Sequence, residues 1–326
     1  MRALAILIRN REAGLLLLIG ILTLAASLVD PSFVAANWLD ILINSVPALI
    51  IACGVMLVIV CGEIDISVGS LLGVLAAMLG LLCSTSAPGM GLHPWLGIAV
   101  VLAAGGVVGL CTGCLVVFGR VPSIIVTLGL LIALDGAQDW MIGGGDIKNF
   151  PSQLRWLGTG GRVPVDLCIA AGVVFATWIV CNRMAMGRRI YALGSNPASA
   201  RLAGISEART KLFAFTVTGL LTGLAAILWV AKFGNVSTST GVGLELKVVT
   251  CVVVGGVAIT GGRGRLAGVV LAVILITMIR TVLNFMDLGP EAVKWQRAIE
   301  GAMILLAVVT DHFGQRDGRA KGGLSG

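Results

Sequence analysis

The sequence predicts an all-α polytopic membrane protein: a single transmembrane domain of about ten helices over residues 1–326, with both termini cytoplasmic. Three observations lead there. Hydrophobic residues make up 57% of the chain, charged residues only 12%, and the mean hydropathy is +1.02. A soluble domain carries about 25% charge, so this chain cannot cover a globular surface with charge. Ten apolar segments can be marked out, and at roughly 20 residues each they consume about 200 residues, leaving no room for a large soluble domain. The charges also sort by side. With both termini inside, 15 of the 23 Lys and Arg fall inside and 8 outside, while the acids divide 6 inside and 10 outside. The excess of basic residues on one side is topogenic, and the opposite orientation would place the densest basic loop outside. A water-soluble enzyme, a nucleic-acid binder and a disordered chain are excluded. The pI near 9.2 would point to nucleic acid only in a soluble protein.

The segments follow in order. The first, 13–29, comes after the basic stretch Arg2 to Arg11 and resembles a signal peptide in outline, but the spans behind it make it an uncleaved anchor. The apolar run from Ile41 to Leu82 is too long for one span and is interrupted at Glu63, Asp65 and Ser67, so it splits into 39–61 and 67–83. The fourth, 96–118, and the seventh, 211–230, carry Gly105–Gly109 and Gly219–Gly223, a spacing that lets helices pack closely. Between them lie 123–140 and 165–181. The eighth and ninth, 244–260 and 266–285, flank a glycine-rich break in VGGVAITGGRGRLAGVV, and 295–310 is the tenth. The stretches 61–76 and 256–271 share a helix–break–helix outline that suggests a weak internal repeat. Trp95, Trp140 and Trp295 fall near span ends, as interfacial anchors do. Cys111 and Cys114 form a CxxC inside an apolar helix, and neither of the two histidines, His93 and His312, accompanies it. The cysteines read as soft packing residues, and no metal site is expected.

The basic middle loop, residues 182–210, is the most informative segment. Asn196 is a strong N-cap, Pro197 suits the first helical position, and Gly204 suits the residue just past a helix end. These bracket a short cytoplasmic helix of small residues with Arg201. A helix of that length is unstable alone and must dock, either on this chain's own loops or on a partner subunit.

Five stretches then resemble one family in order. GRRIYALGSNPASARLAGI (187–205) is similar to the cytoplasmic signature of permease subunits of bacterial sugar ABC importers, the ribose/xylose/arabinose type. GEIDISVGS (62–70), GRVPSIIVTLG (119–129), GLELKVVTCVVVGGVAITGGRGRLAG (243–268) and WQRAIEGAMILLAVVTD (295–311) resemble further motifs of that family. Departures include Ser123-Ile124 for Pro-Phe, Glu63 for a common Gly, Asp135-Gly136 for Arg-Gly, and Lys247-Val248-Val249. The resemblance implies a transport subunit rather than an enzyme, multi-pass in the bacterial inner membrane, importing a monosaccharide or similar small polar solute by alternating access. It implies three partners: an ATP-binding cassette subunit, an extracytoplasmic solute-binding protein and a second permease subunit. It also implies that Asn196, Pro197, Ala200, Arg201 and Gly204 couple to the ATPase. The chain has no GxxxxGK[ST] phosphate loop, and GGRGRLAG (261–268) lacks the Lys-Ser/Thr, so ATP and Mg are expected on the partner and no cofactor on this chain.

Candidate pathway or gate residues are Glu63, Asp65, Ser67 and Glu245. A charge at mid-bilayer costs about 2.5–3.5 kcal/mol on insertion scales, so the two acids of the 62–70 motif avoid lipid. Either Asp65 or Ser67 caps the third helix, or the helices break inside the bundle and line a path. Glu245 is either a helix-start acid or a contact for the binding protein or outer gate. Asn44, Ser45, Thr127, Gln138, Thr216, Thr218, Thr222 and Asn284 are polar groups within spans that a neutral sugar could use. The loop 141–164 is either a docking surface or a loose connector. A branched-chain amino acid permease of the same superfamily is the alternative reading. A secondary transporter stands further off, because it would have no need of the capped loop helix.

Overall fold

The computed structural model describes residues 11–29, 31, 33–86, 88–159 and 164–285, and beyond them 295, 298, 299, 301–303 and 305. Most of the expected tenth span and its motif, the basic tail 311–326, His312, and Arg2 and Arg9 lie outside the described residues, as do residues 160–163 of the 141–164 loop and the side chain of Asn284.

Twelve helices are described: α1 (Arg11–Val29), α2 (Phe33–Val60), α3 (Val68–Cys83), α4 (Pro94–Val117), α5 (Ser123–Ile142), α6 (Ser152–Thr159), α7 (Val165–Asn182), α8 (Ala185–Ser195), α9 (Pro197–Leu202), α10 (Glu207–Phe233), α11 (Leu244–Val254) and α12 (Leu266–Phe285). Seven of these (α1, α2, α4, α5, α7, α10 and α12) are long and apolar enough to cross a membrane. The expected third and eighth spans form the shorter helices α3 and α11, of 16 and 11 residues. At 1.5 Å per residue, α11 reaches about 16 Å, half the hydrocarbon thickness. Both short helices adjoin irregular backbone, residues 61–67 and 255–265.

α2 is the axis of the bundle: its spanning window is 89% buried, against 17% for α1 and α7 and 11% for α5. It tolerates Pro47 in its interior. α10 packs across α2, α3 and α4, and α12 packs on α1, α2 and α11. The closest crossing is that of α4 and α10, and it rests on the glycines that share the small-residue spacing. A Cβ at Gly219 would run into the carbonyl oxygen of Gly105, and one at Gly109 into that of Phe215. Between helices in lipid, where apolar area gives no preference for protein over solvent, such backbone approach is the main source of attraction.

The opposite end of the bundle from Gly62 is closed by loops that hold one another. Ile147 and Val236 form an antiparallel bridge, and Ser84 Oγ donates to the Lys148 carbonyl at 2.6 Å. The stretch 141–159 is therefore tethered to the bundle. Its helix α6 packs on α10 with Leu154 fully buried, and the backbone of Gly158 lies against Ala231 and Lys232.

Gly219→Ala tests the crossing. Helix propensity alone favours Ala by about 1 kcal/mol. Overpacking costs about 1–3 kcal/mol and is expected to win, lowering the midpoint of thermal unfolding in detergent. Gly20→Ala in α1, where a Cβ meets nothing within 4 Å, is the matched control and should leave the midpoint unchanged or raise it.

Candidate functional site

The helix expected in the middle loop forms as α9, with a cap at each end. Asn196 Oδ1 accepts from the Ser199 amide at 3.0 Å, and Pro197 occupies the first turn. At the far end the Gly204 amide donates to the Arg201 carbonyl at 3.0 Å and the Ile205 amide to that of Ala200 at 3.0 Å. With Gly204 at φ +76° this is a Schellman motif. Ala200 is buried, whereas Arg201 and Leu202 face outward. Leu202, 91% exposed, is the most exposed large apolar side chain among the described residues.

α9 stands on α8, and α8 is wedged into the bundle. Gly194, one residue before its end, has no room for a Cβ, which would collide with the Val60 carbonyl and the Gly262 amide. Ser195 Oγ donates to the Gly262 carbonyl at 3.3 Å, and Tyr191 Oη donates to the Gly264 carbonyl at 2.9 Å. Burial pushes the Tyr191 hydroxyl above its ordinary pKa, which keeps it a donor. The Gly262 amide donates to the last carbonyl of α2, Val60, at 2.8 Å. Three backbone segments (61–67, the end of α8 and 255–265) thus meet where only glycine fits.

Both breaks begin in the same way. Gly62 and Glu63 donate to the carbonyls of Ile59 and Val58, and Gly256 and Val257 to those of Val253 and Val252. Gly62 (φ +90°) and Gly256 (φ +93°) are the left-handed residues of two Schellman caps. The stretches 61–76 and 256–271, whose outline suggests a weak internal repeat, thus begin with the same cap.

Asp65 is buried, and its Oδ1 accepts from the Ser67 amide at 2.9 Å and from Ser67 Oγ at 2.7 Å. The pair forms a local turn that starts α3, whose N-cap residue Ser67 makes no side-chain cap bond of its own. The backbone between Glu63 and Asp65 is held by α5: Ser123 Oγ accepts from the Ile64 amide at 3.1 Å, and Thr127 Oγ1 donates to the Ile64 carbonyl at 3.3 Å. The departure from Pro to Ser at 123 thus supplies an acceptor that proline lacks. Glu63 pairs with Lys211, Nζ to Oε1, at 2.5 Å, and the same ammonium pairs with Glu207 Oε1 at 2.7 Å. Glu207 Oε2 in turn lies 3.4 Å from Arg201 Nε.

The structure therefore brings Glu63 and Arg201 into one chain of charges, through Lys211 and Glu207, two residues that sequence reasoning does not single out. The i,i+4 spacing of Glu207 and Lys211 is a readable signal; the pairing with Glu63 is not. Lys211 and Glu63 are only 15% and 14% exposed. Removing one partner of so enclosed a pair leaves the other charge poorly solvated and is costly. Arg201 is 64% exposed, and an ion pair of that kind contributes about 0–1 kcal/mol, so Arg201 can leave Glu207 cheaply.

Glu245 lies apart from this network. It sits in the first turn of α11, accepts from the Gly243 amide at 3.2 Å on Oε1, and presses a buried, unpartnered Oε2 against Gly69 of α3. Close by, Gln138 Nε2 donates to the carbonyls of Ser237, Thr238 and Thr240 at 3.0–3.2 Å, holding the loop that precedes α11. Asn44 accepts from Lys232 Nζ at 2.7 Å. Ser45, Thr218 and Thr222 donate to carbonyls of their own helices, and Thr216 is half-buried. A cleft of about 580 Å³ between α2, α7 and α12 is lined mostly by apolar side chains, and the hydroxyl of Ser45 within it is engaged with the Leu42 carbonyl. Among the described residues no cluster of His, Cys, Asp or Glu is arranged to hold a metal.

Comparison with known proteins places these elements in context. Residues 37–308 match the family described as branched-chain amino acid transport system / permease component. The chain is 31% identical over 307 residues to the ribose import permease protein RbsC of Escherichia coli (strain K12), covering 92% of this chain and 93% of that one. It is 33% identical over 309 residues to the autoinducer 2 import system permease protein LsrC of Enterobacter sp. (strain 638), covering 94% and 88%. It is 32% identical over 300 residues to RbsC of Haemophilus influenzae, covering 90% of each. No solved structure matches the chain.

Asn196→Ala removes the side-chain cap of α9. Losing about 1 kcal/mol should speed amide exchange over 197–203 about fivefold. Exchange in α2 and α10 should not change, as hydrogen-exchange mass spectrometry can check.

Proposed function

The chain belongs to the branched-chain amino acid transport system permease-component family, and on that premise we propose that it is the membrane subunit of an ATP-driven importer for a monosaccharide or similar small polar solute. It works in the bacterial inner membrane beside a second permease subunit, with ATP and Mg held by a separate ATP-binding subunit and solute delivered by an extracytoplasmic binding protein. Ten spans with both termini cytoplasmic put α8 and α9 on the basic, inner side.

The observation that carries this reading is α9. A six-residue helix capped at both ends, seated on a wedged platform, and turning Arg201 and Leu202 outward is shaped to be gripped by another protein. Asn196, Pro197 and Gly204 fix its ends, Ala200 seats it, and Arg201 can exchange its weak pair with Glu207 for a partner carboxylate or carbonyl. α5 supports the second permease subunit. It is the least buried of the spanning helices and shows Gly136 and Asp139 on its surface, residues that suit a protein or aqueous face better than lipid. The ribose and autoinducer 2 permeases named above favour a sugar-like solute over a branched-chain amino acid. Substrate movement then follows from closure of the ATPase pushing on α9, with the path opening alternately to each side of the membrane.

The test is uptake of radiolabelled ribose and related sugars by proteoliposomes holding the whole complex, loaded with ATP. Arg201→Glu and Gly204→Val should each lower uptake by about tenfold or more, the equivalent of ~1.4 kcal/mol of lost coupling. Uptake that continues without the ATPase or the binding protein would sink the importer reading.

A further inference from the structure

We propose that Lys211 is the positioning residue through which movement of α9 reaches the 61–67 break, and so links the cytoplasmic helices to the solute path. The proposal rests on the reading of α9 as the helix that meets the ATPase.

The break is held in a particular way. Its first residues turn through the Schellman cap at Gly62, a left-handed position that only glycine occupies easily, so the chain changes direction at its start. From there it is suspended between two helices. On one side α5 binds the Ile64 peptide through Ser123 and Thr127. On the other side α10 binds Glu63 through Lys211 alone among the described residues, at 2.5 Å. Any displacement of the start of α10 relative to α5 must therefore move residues 63–65.

α9 has a direct hold on the start of α10. Only residues 203–206 separate them, and Arg201 reaches Glu207. Glu207 and Lys211 stand one turn apart on one face of α10, paired at 2.7 Å. The energies are graded along this chain. The exposed pair at Arg201 is weak and exchangeable, whereas the more enclosed pair at Glu63 is costly to break because neither charge is readily solvated alone. A push on α9 reaches the start of α10 through residues 203–206 whether or not the outer pair holds, and the inner pair passes it to Glu63. The glycine junction at Gly194 and Gly262 fixes the platform of α8 against Val60, so the relative motion is concentrated at Glu63 and the residues that follow it.

The experiment uses the complete complex in proteoliposomes and reads solute transported per ATP hydrolysed, together with total ATPase rate. Lys211→Met and Glu63→Gln should each lower solute per ATP by about tenfold or more while the complex still assembles and hydrolyses ATP. Lys211→Arg, which can bridge both acids, should keep the ratio within about twofold of the unaltered chain. The paired reversal Glu63→Lys with Lys211→Glu, which restores attraction at the break although it sets the new acid one turn from Glu207, should recover more of the ratio than either reversal alone. A purely structural role would lower assembly and ATPase rate together and leave the ratio unmoved. A ratio for Lys211→Met equal to that of the unaltered chain, or a paired reversal no better than the single ones, would overturn the relay. Failure of the unaltered chain to show ATP-dependent uptake would instead overturn the importer reading itself.

Discussion

Inside a bundle of apolar spans, backbone that leaves the helical ladder finds no water, and each freed amide and carbonyl must be met by the protein. Residues 61–67, 234–243 and 255–265 all leave the ladder, and much of the rest of the structure is arranged to meet them. The Val60 carbonyl is met by the Gly262 amide, so the two breaks satisfy each other. The Ile64 peptide is met by Ser123 and Thr127. The carbonyls of 237, 238 and 240 converge on the amide nitrogen of Gln138. Each of these bonds joins helices that are far apart in sequence, so irregular backbone also determines which helices are neighbours.

Charge obeys the same constraint. Glu63 and Lys211 would each be costly alone so far from solvent, and together they are tolerable because Glu207 gives the ammonium a second acceptor. Asp65 and Ser67 satisfy each other within one turn. The low charge content is thus distributed unequally in its effect. Among the described residues, Glu63, Asp65 and Lys211 are enclosed where the chain bends, whereas Asp166 and Glu245 are enclosed at the starts of α7 and α11.

Much of this is legible in the sequence because it is local. Asn196-Pro197 and Gly204 delimit α9, since capping needs only neighbours along the chain. The acids at 63 and 65 mark the break after α2, because carboxylates inside an apolar run cannot face lipid without a large desolvation cost. Gly105–Gly109 and Gly219–Gly223 announce close packing, yet their facing each other is a property of the α4–α10 crossing. The eighth span, 244–260 by hydropathy, ends earlier in the fold, because apolar composition continues unchanged through the Schellman cap at Gly256. Ser123 reads as a departure from a motif, and only the position of Ile64 beside it reveals an acceptor. Gln138 reads as a polar group available to a solute, and its nitrogen is instead engaged with three carbonyls.

The sequence by itself determined that this is a helical membrane protein with two breaks in its apolar runs and one short capped helix in a basic loop. Periodicity, hydropathy and capping are all interactions between residues a few positions apart, and a single chain displays them directly. Only the tertiary structure decided that Glu63 meets Lys211, that Gly62, Gly194 and Gly261 converge, and that α9 is joined to the first break by three ion pairs. The pairing of Glu63 with Lys211 and the approach of Gly62 to Gly194 close over separations of more than a hundred residues, and which groups meet across them depends on the rotation and depth of each helix, quantities that no local pattern encodes.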